Sequence, residues 1–379
     1  MGETTGGGAG SGGGWRRAGF AGAAIGVLAA GAAAGVAIER LTVGRSVRQK
    51  ARLALDATGP YGTLRGTPGL ALADDGTPIA YEIEETDDAS GPVTVVFCHG
   101  FCLSQDSWHY QRAALRGRVR AVFWDQRGHG RSAHDAARPA GAPVTIDRLG
   151  RDLKAVLDAA APEGPLVLVG HSMGGMTVMA LAERYPELIR ERVAGVAFVG
   201  TSSGRLEEVS YGLPLAGVNA VRRVLPGVLR ALGSQAELVE KGRRATADLF
   251  AGLVKKYSFA SKDVDPAVVR FAERMIESTP VDVVADFYPA FGAHDKRVAL
   301  AAFRDLPALA LVGDQDLVTP ASHTEALAAE LPGAELVVVP DAGHLVMLER
   351  PEAVTGALTG LLEAAGAVPV PQGEGSGSG

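Results

Sequence analysis

LVLVGHSMGGM, residues 166–176, sets four apolar residues against a glycine, then a His-Ser pair hemmed in by more glycines. A short, continuous apolar run bounded by glycine reads as a strand buried on both faces. The following SMGGMTVMALAERYP has helical periodicity and stops at Pro186. A serine between such a strand and such a helix occupies a turn too tight for side chains two residues to either side. Gly170 and Gly174 flank it for that reason, since glycine has no Cβ to clash. Gly-His-Ser-Met-Gly at 170–174 is therefore a G-x-S-x-G turn in the strand–turn–helix setting that lifts a serine oxygen above the end of a sheet.

Outward from this turn the same alternation continues. LALADDGTPIAYEIEE reads as two strands around an Asp-Gly turn. VTVVFCHG, VRAVFWD, RVAGVAFVG, LPALALVGD and AELVVVP read as strands. SWHYQRAALRG, VTIDRLGRDLKAVLDAAA (starting near Thr145 or Asp147), SHTEALAAEL and AVTGALTGLLEAAG read as helices. Near-continuous apolar strands alternating with helices predict an α/β fold, a mostly parallel sheet covered on both faces, over residues 68–204 and 301–367. Residues 205–300 break the rhythm. VNAVRRVLPGVLRALG, AELVEKGRRATADLFAGLVKKY and DPAVVRFAERMIE are amphipathic, which predicts a helical cap inserted between two strands.

A serine hydroxyl is a weak nucleophile at neutral pH and needs a base, which in turn needs an orienting acid. His344, in PDAGHLVMLERPE, follows a predicted strand and supplies the base. Asp316, in LVGDQDLVTP, supplies the acid. Asp314 competes for that role from two residues earlier, and Asp341 is placed to fix the loop of His344. The Met173 amide opens a helix, where N–H donors are unsatisfied, and the Phe101 amide follows the strand ending in His99-Gly100. Together they form a candidate oxyanion hole.

These stretches resemble the α/β-hydrolase fold family. The resemblance rests on HGF at 99–101, DQRGHGRS at 125–132, GHSMGG at 170–175, GDQD at 313–316 and GH at 343–344, and covers about residues 68–365. It implies Ser172 as nucleophile, Asp316 as acid, His344 as base and the Phe101 and Met173 amides as oxyanion donors, with no metal or organic cofactor. HGFCLSQDSW is similar to the cofactor-free haloperoxidase and esterase branch, which implies Trp108, with His171, beside the acyl pocket. The expected chemistry is hydrolysis of carboxylic esters, lipid or acylglycerol esters included. Perhydrolysis by the same residues is an alternative, and a catalytically silent membrane-anchored binding protein is an alternative of another class. Haloalkane dehalogenase and epoxide hydrolase chemistry is disfavoured, because those branches need a carboxylate where Ser172 stands.

The other histidines read more simply: His99 orders the oxyanion loop, His129 belongs to a turn, His109 and His134 lie on the surface, His294 ends the cap in solvent with a place in the pocket lining as the alternative, and His323 starts a helix. Cys98 reads as a buried core thiol, and no disulfide with Cys102 is expected. A net charge of -6 on 379 residues gives no sign of a nucleic-acid partner.

The amino-terminal stretch is unlike the rest. Residues 1–17 begin as low-complexity, Gly-rich sequence, which predicts disorder. Residues 18–38 carry no charge and are long enough to span a bilayer. A single membrane anchor is expected there, with an export signal or a non-spanning amphiphile as alternatives. The basic residues of 39–67 follow as a linker and would hold the next domain on the cytoplasmic side. Residues 368–379 form a Pro/Gly/Ser-rich tail.

Overall fold

The structure is a computed structural model that describes residues 61–87, 93–134, 144–210 and 255–367, with isolated positions at 54, 55, 59, 219, 223, 224 and 227. The chain divides into two units, Met1–Ala54 and Leu55–Gly379. The expected disordered start, the 18–38 segment and the tail lie outside the described residues, as does most of the expected cap before residue 255. Among the described residues no helix is long and apolar enough to cross a membrane.

Eight strands form one sheet: β1 (Thr67–Leu72), β2 (Pro78–Glu84), β3 (Thr94–Cys98), β4 (Arg120–Trp124), β5 (Leu166–His171), β6 (Val193–Val199), β7 (Ala308–Gly313) and β8 (Ala334–Val339). Their spatial order is β1-β2-β4-β3-β5-β6-β7-β8. The first two form the expected hairpin, with Leu72 opposite Pro78, and β2 also runs antiparallel to β4. All remaining pairs are parallel. Every residue of β3, β5 and β7 is buried, the signature of strands covered on both faces. One apolar cluster gathers Val95, Phe97, Val167 and Val169 on one face, and a second gathers Val96, Cys98, Leu166 and Leu168 on the other.

The helices of the core are α1 (His109–Leu115), α2 (Ile146–Ala160), α3 (Met173–Arg184) and α4 (Pro186–Arg192). Thr145 caps α2, its side chain accepting from the Arg148 amide at 3.2 Å. Pro186 does more than end a helix: α3 closes at Arg184 and Pro186 opens α4, where its fixed φ and missing N–H cost nothing. In the inserted region α5 (Pro266–Ser278) matches the amphipathic DPAVVRFAERMIE, and α6 (Val281–Gly292) is a further helix despite the internal Pro289. Later in the chain come α7 (Ala321–Ala329), α8 (Val346–Glu349) and α9 (Pro351–Ala364).

The end of the predicted linker is packed: Tyr61 makes ring contacts with His109, Tyr110 and Phe271, and Arg65 pairs with Asp106 at 2.9 Å. The structure corrects two expectations here. His109 is accordingly buried instead of superficial. His294 is also buried, its Nε2 donating to the Ser202 carbonyl at 2.8 Å.

Candidate active site

Parallel strands deliver their carboxyl ends to one rim of the sheet, and the loops that leave β3, β5, β7 and β8 meet there. Ser172 follows β5 with φ 51 and ψ -120, a left-handed backbone that costs a side-chain-bearing residue about 1–3 kcal/mol. The glycines make this turn possible. A Cβ on Gly170 would lie 2.5 Å from the Gly175 nitrogen, and one on Gly174 2.2 Å from the Cys98 carbonyl.

The three side chains picked out by sequence converge. Ser172 Oγ lies 3.0 Å from His344 Nε2, and His344 Nδ1 lies 2.8 Å from Asp316 Oδ2. Asp316 is held in turn: its Oδ1 accepts from the Val318 and Thr319 amides at 2.8 and 2.9 Å. The Thr319 hydroxyl sits 3.0 Å from Asp316 Oδ2 and 2.7 Å from the Gly200 carbonyl. The rival acids stand elsewhere. Asp314 Oδ1 accepts from the Ala342 amide at 3.3 Å, and Asp341 pairs with Arg350 at 2.5 Å, each bracing the loop before His344. A carboxylate that holds Nδ1–H leaves Nε2 free to take a proton, so this arrangement can activate the serine oxygen.

The loop after β3 meets the serine from the other side. Gly100 approaches so closely that a Cβ on it would sit 2.7 Å from His171 Nδ1 and 3.2 Å from Ser172 Cβ. The Phe101 ring packs against His129, Phe287 and Phe291, which joins this loop to α6. Met173 is the first residue of α3, so its N–H has no acceptor within the helix.

Two substrate-contact expectations are corrected. Trp108 and His171 are both wholly buried and present no surface to a ligand. Trp108 packs at a tilt against Phe97 and stands edge-on to His171. His171 Nε2 donates to the His344 carbonyl at 2.9 Å, and burial, then the nearby His344, hold the His171 ring well below the usual histidine range. It is a neutral prop behind the base. His99 does order its loop: Nδ1 donates to the Gly100 carbonyl at 2.7 Å while Nε2 accepts from the Gln126 amide at 2.9 Å. Burial lowers its pKa to about 4. Cys98 and Cys102 are not bridged to each other, and burial pushes the Cys98 thiol up to about 12.

Sequence reasoning missed Thr319, Gln126 and Thr177. The Gln126 side chain donates to the His99 carbonyl at 2.5 Å and accepts from Thr177 at 2.8 Å, tying the loop after β3 to α3. Gln126 lies inside the quoted DQRGHGRS, but nothing in that string states which way its amide points.

The model of the family described as alpha/beta hydrolase fold matches residues 93–351. The chain belongs to the α/β-hydrolase family. Among curated relatives, it is 28% identical over 291 residues to the mouse sn-1-specific diacylglycerol lipase ABHD11, covering 75% of this chain and 85% of that one. It is 29% identical over 266 residues to the dihydrolipoyllysine-residue acetyltransferase component of the acetoin cleaving system of Pseudomonas putida, covering 70% of this chain and 62% of that protein's length. Among solved structures, a thermophilic esterase from Thermogutta terrifontis superposes with a TM-score of 0.59 at 26% identity, over 79% of this chain and 98% of the esterase.

Proposed function

We propose that this α/β-hydrolase cleaves carboxylic esters with Ser172 as nucleophile, His344 as base and Asp316 as orienting acid. The observation that carries this reading is the unbroken relay Ser172–His344–Asp316, with contacts of 3.0 and 2.8 Å, at a strained turn. Ser172 Oγ attacks the ester carbonyl as His344 Nε2 takes its proton. The Phe101 and Met173 amides receive the developing oxyanion. His344 returns the proton to the departing alkoxide, which leaves as alcohol, and an acyl-enzyme remains. Water, deprotonated by His344, attacks that acyl group and frees the acid and the serine.

The chemistry beside the site suits an apolar acyl group. The half-buried Phe101 and Phe291 rings lie beside the serine turn, packed on a buried cluster of Met173, Met176, Val283 and Phe287. Lipid and acylglycerol esters are the substrates this apolar side favours, and a diacylglycerol lipase is among the relatives. Ser172→Ala should lower turnover of p-nitrophenyl butyrate on the order of 10⁶-fold and abolish labelling by a fluorophosphonate. Turnover at the wild-type rate in that variant removes the proposal.

A further inference from the structure

A peptide N–H points opposite to the carbonyl of the same planar, trans peptide unit. The orientation of the Met173 N–H is therefore fixed by whatever grips the Ser172 carbonyl. Three donors grip it: Thr201 Oγ1 at 2.7 Å, the Gly175 amide at 3.0 Å and the Met176 amide at 3.3 Å. The two amides belong to the opening turn of α3 and are expected of any helix start. Thr201 is not. It lies just beyond β6, is almost fully buried, and crosses from a neighbouring strand end to reach this one oxygen.

The packing keeps that hydroxyl in place. A Cβ on Gly175 would stand 2.7 Å from both Thr201 Oγ1 and Thr201 Cγ2, so the glycine after the G-x-S-x-G turn makes room for the threonine. The opposite peptide has the same construction. The carbonyl of Gly100, whose peptide carries the Phe101 N–H, accepts from His99 Nδ1 at 2.7 Å and from the Leu103 amide at 3.2 Å. Each candidate oxyanion amide thus has a buried side-chain donor on the far end of its own peptide. A hydrogen bond to the carbonyl end also polarises the unit and makes its N–H a stronger donor.

We propose that Thr201 is a positioning residue for the oxyanion hole, acting through the Ser172 carbonyl to aim and strengthen the Met173 N–H. This rests on the reading of Ser172 as nucleophile. Its effect belongs to the tetrahedral state, where charge has moved onto the substrate oxygen, and not to ground-state binding.

Thr201→Val removes the hydroxyl and keeps the shape. On the full chain, kcat for p-nitrophenyl butyrate should fall about tenfold, less than the 10²–10³ typical of losing a whole donor, with KM unchanged. The inhibition constant of an alkyl trifluoromethyl ketone, which forms a tetrahedral adduct with the serine, should weaken by the same factor. Thr201→Ser should restore both, and Thr201→Ala, should the valine variant not fold, carries the same expectation as valine. Wild-type kcat and ketone affinity in Thr201→Val would overturn the inference, as would a fall in kcat with ketone affinity untouched or a loss shared equally by Thr201→Ser. Retained turnover in Ser172→Ala would instead defeat the nucleophile assignment, so the two failures are separable.

Discussion

At the scale of single residues, the site is a set of atoms for which near substitutes exist in the sequence but not in space. Asp314 and Asp316 are two residues apart on the loop leaving β7, yet only Asp316 directs an oxygen at His344 Nδ1. Asp316→Asn should lower kcat about 10³–10⁴-fold, because an amide no longer holds the useful tautomer of the imidazole. Asp314→Asn keeps the acceptor used by the Ala342 amide and should leave ester turnover close to wild type. Steady-state hydrolysis by the two variants, side by side, checks the assignment. Comparable losses in both would show that the loop rather than the carboxylate matters. The glycines at 170 and 174 were readable as necessities from the turn they flank. Thr201 and Thr319 were not, because a threonine beyond a strand end looks the same whether its hydroxyl meets water or a buried carbonyl.

At the scale of elements, hydrophobic periodicity located the strands and the core helices, since each must bury one face or both against a neighbour. α6 falls inside the stretch expected to be a helical cap, yet VDVVADFYPAFG is apolar on several sides and its Pro289 removes an intrahelical hydrogen bond, which disfavours a regular helix. Tertiary contacts override that: Val283, Phe287 and Ala290 are buried in the cluster that also holds Met173 and Met176. α6 is therefore held by packing more than by propensity. Phe287→Ala should destabilise the protein by about 3–5 kcal/mol, the usual cost of removing a buried aromatic ring, measured by chemical denaturation. A loss below about 1 kcal/mol would show that the helix does not depend on this contact.

At the scale of the whole molecule, burial sets the response to acid. His99 and His129 are enclosed at the rim of the sheet, and desolvation depresses them from 6.5 to about 4 and about 3. Both are neutral in the folded protein. Below about pH 6.5 the unfolded chain takes up protons that the folded chain refuses. Stability is therefore fully present above the unfolded value and falls as pH drops towards the folded ones, by about 1.4 kcal/mol per pH unit for each histidine. Asp106 and Asp152, whose carboxyls burial raises, act in the opposite sense, so the comparison that isolates the effect is between variants. Denaturation midpoints between pH 7.5 and 4.5 should fall less steeply in His129→Asn than in wild type, and parallel curves would contradict the assignment. Taken alone, the sequence determined the alternation of strands and helices, the G-x-S-x-G turn and the candidates Ser172, His344, Asp316 and the loop after β3. Those features are local: periodicity, turn sterics and short motifs are written in neighbouring residues. Only the tertiary structure showed which carboxylate, Asp316 and not Asp314, reaches His344 Nδ1, withdrew Trp108 and His171 into the core, and set Thr201 behind the Ser172 carbonyl. Each of those outcomes depends on which atoms from distant strand ends come within about 3 Å of one another, the range of a hydrogen bond, and one-dimensional order does not encode that distance.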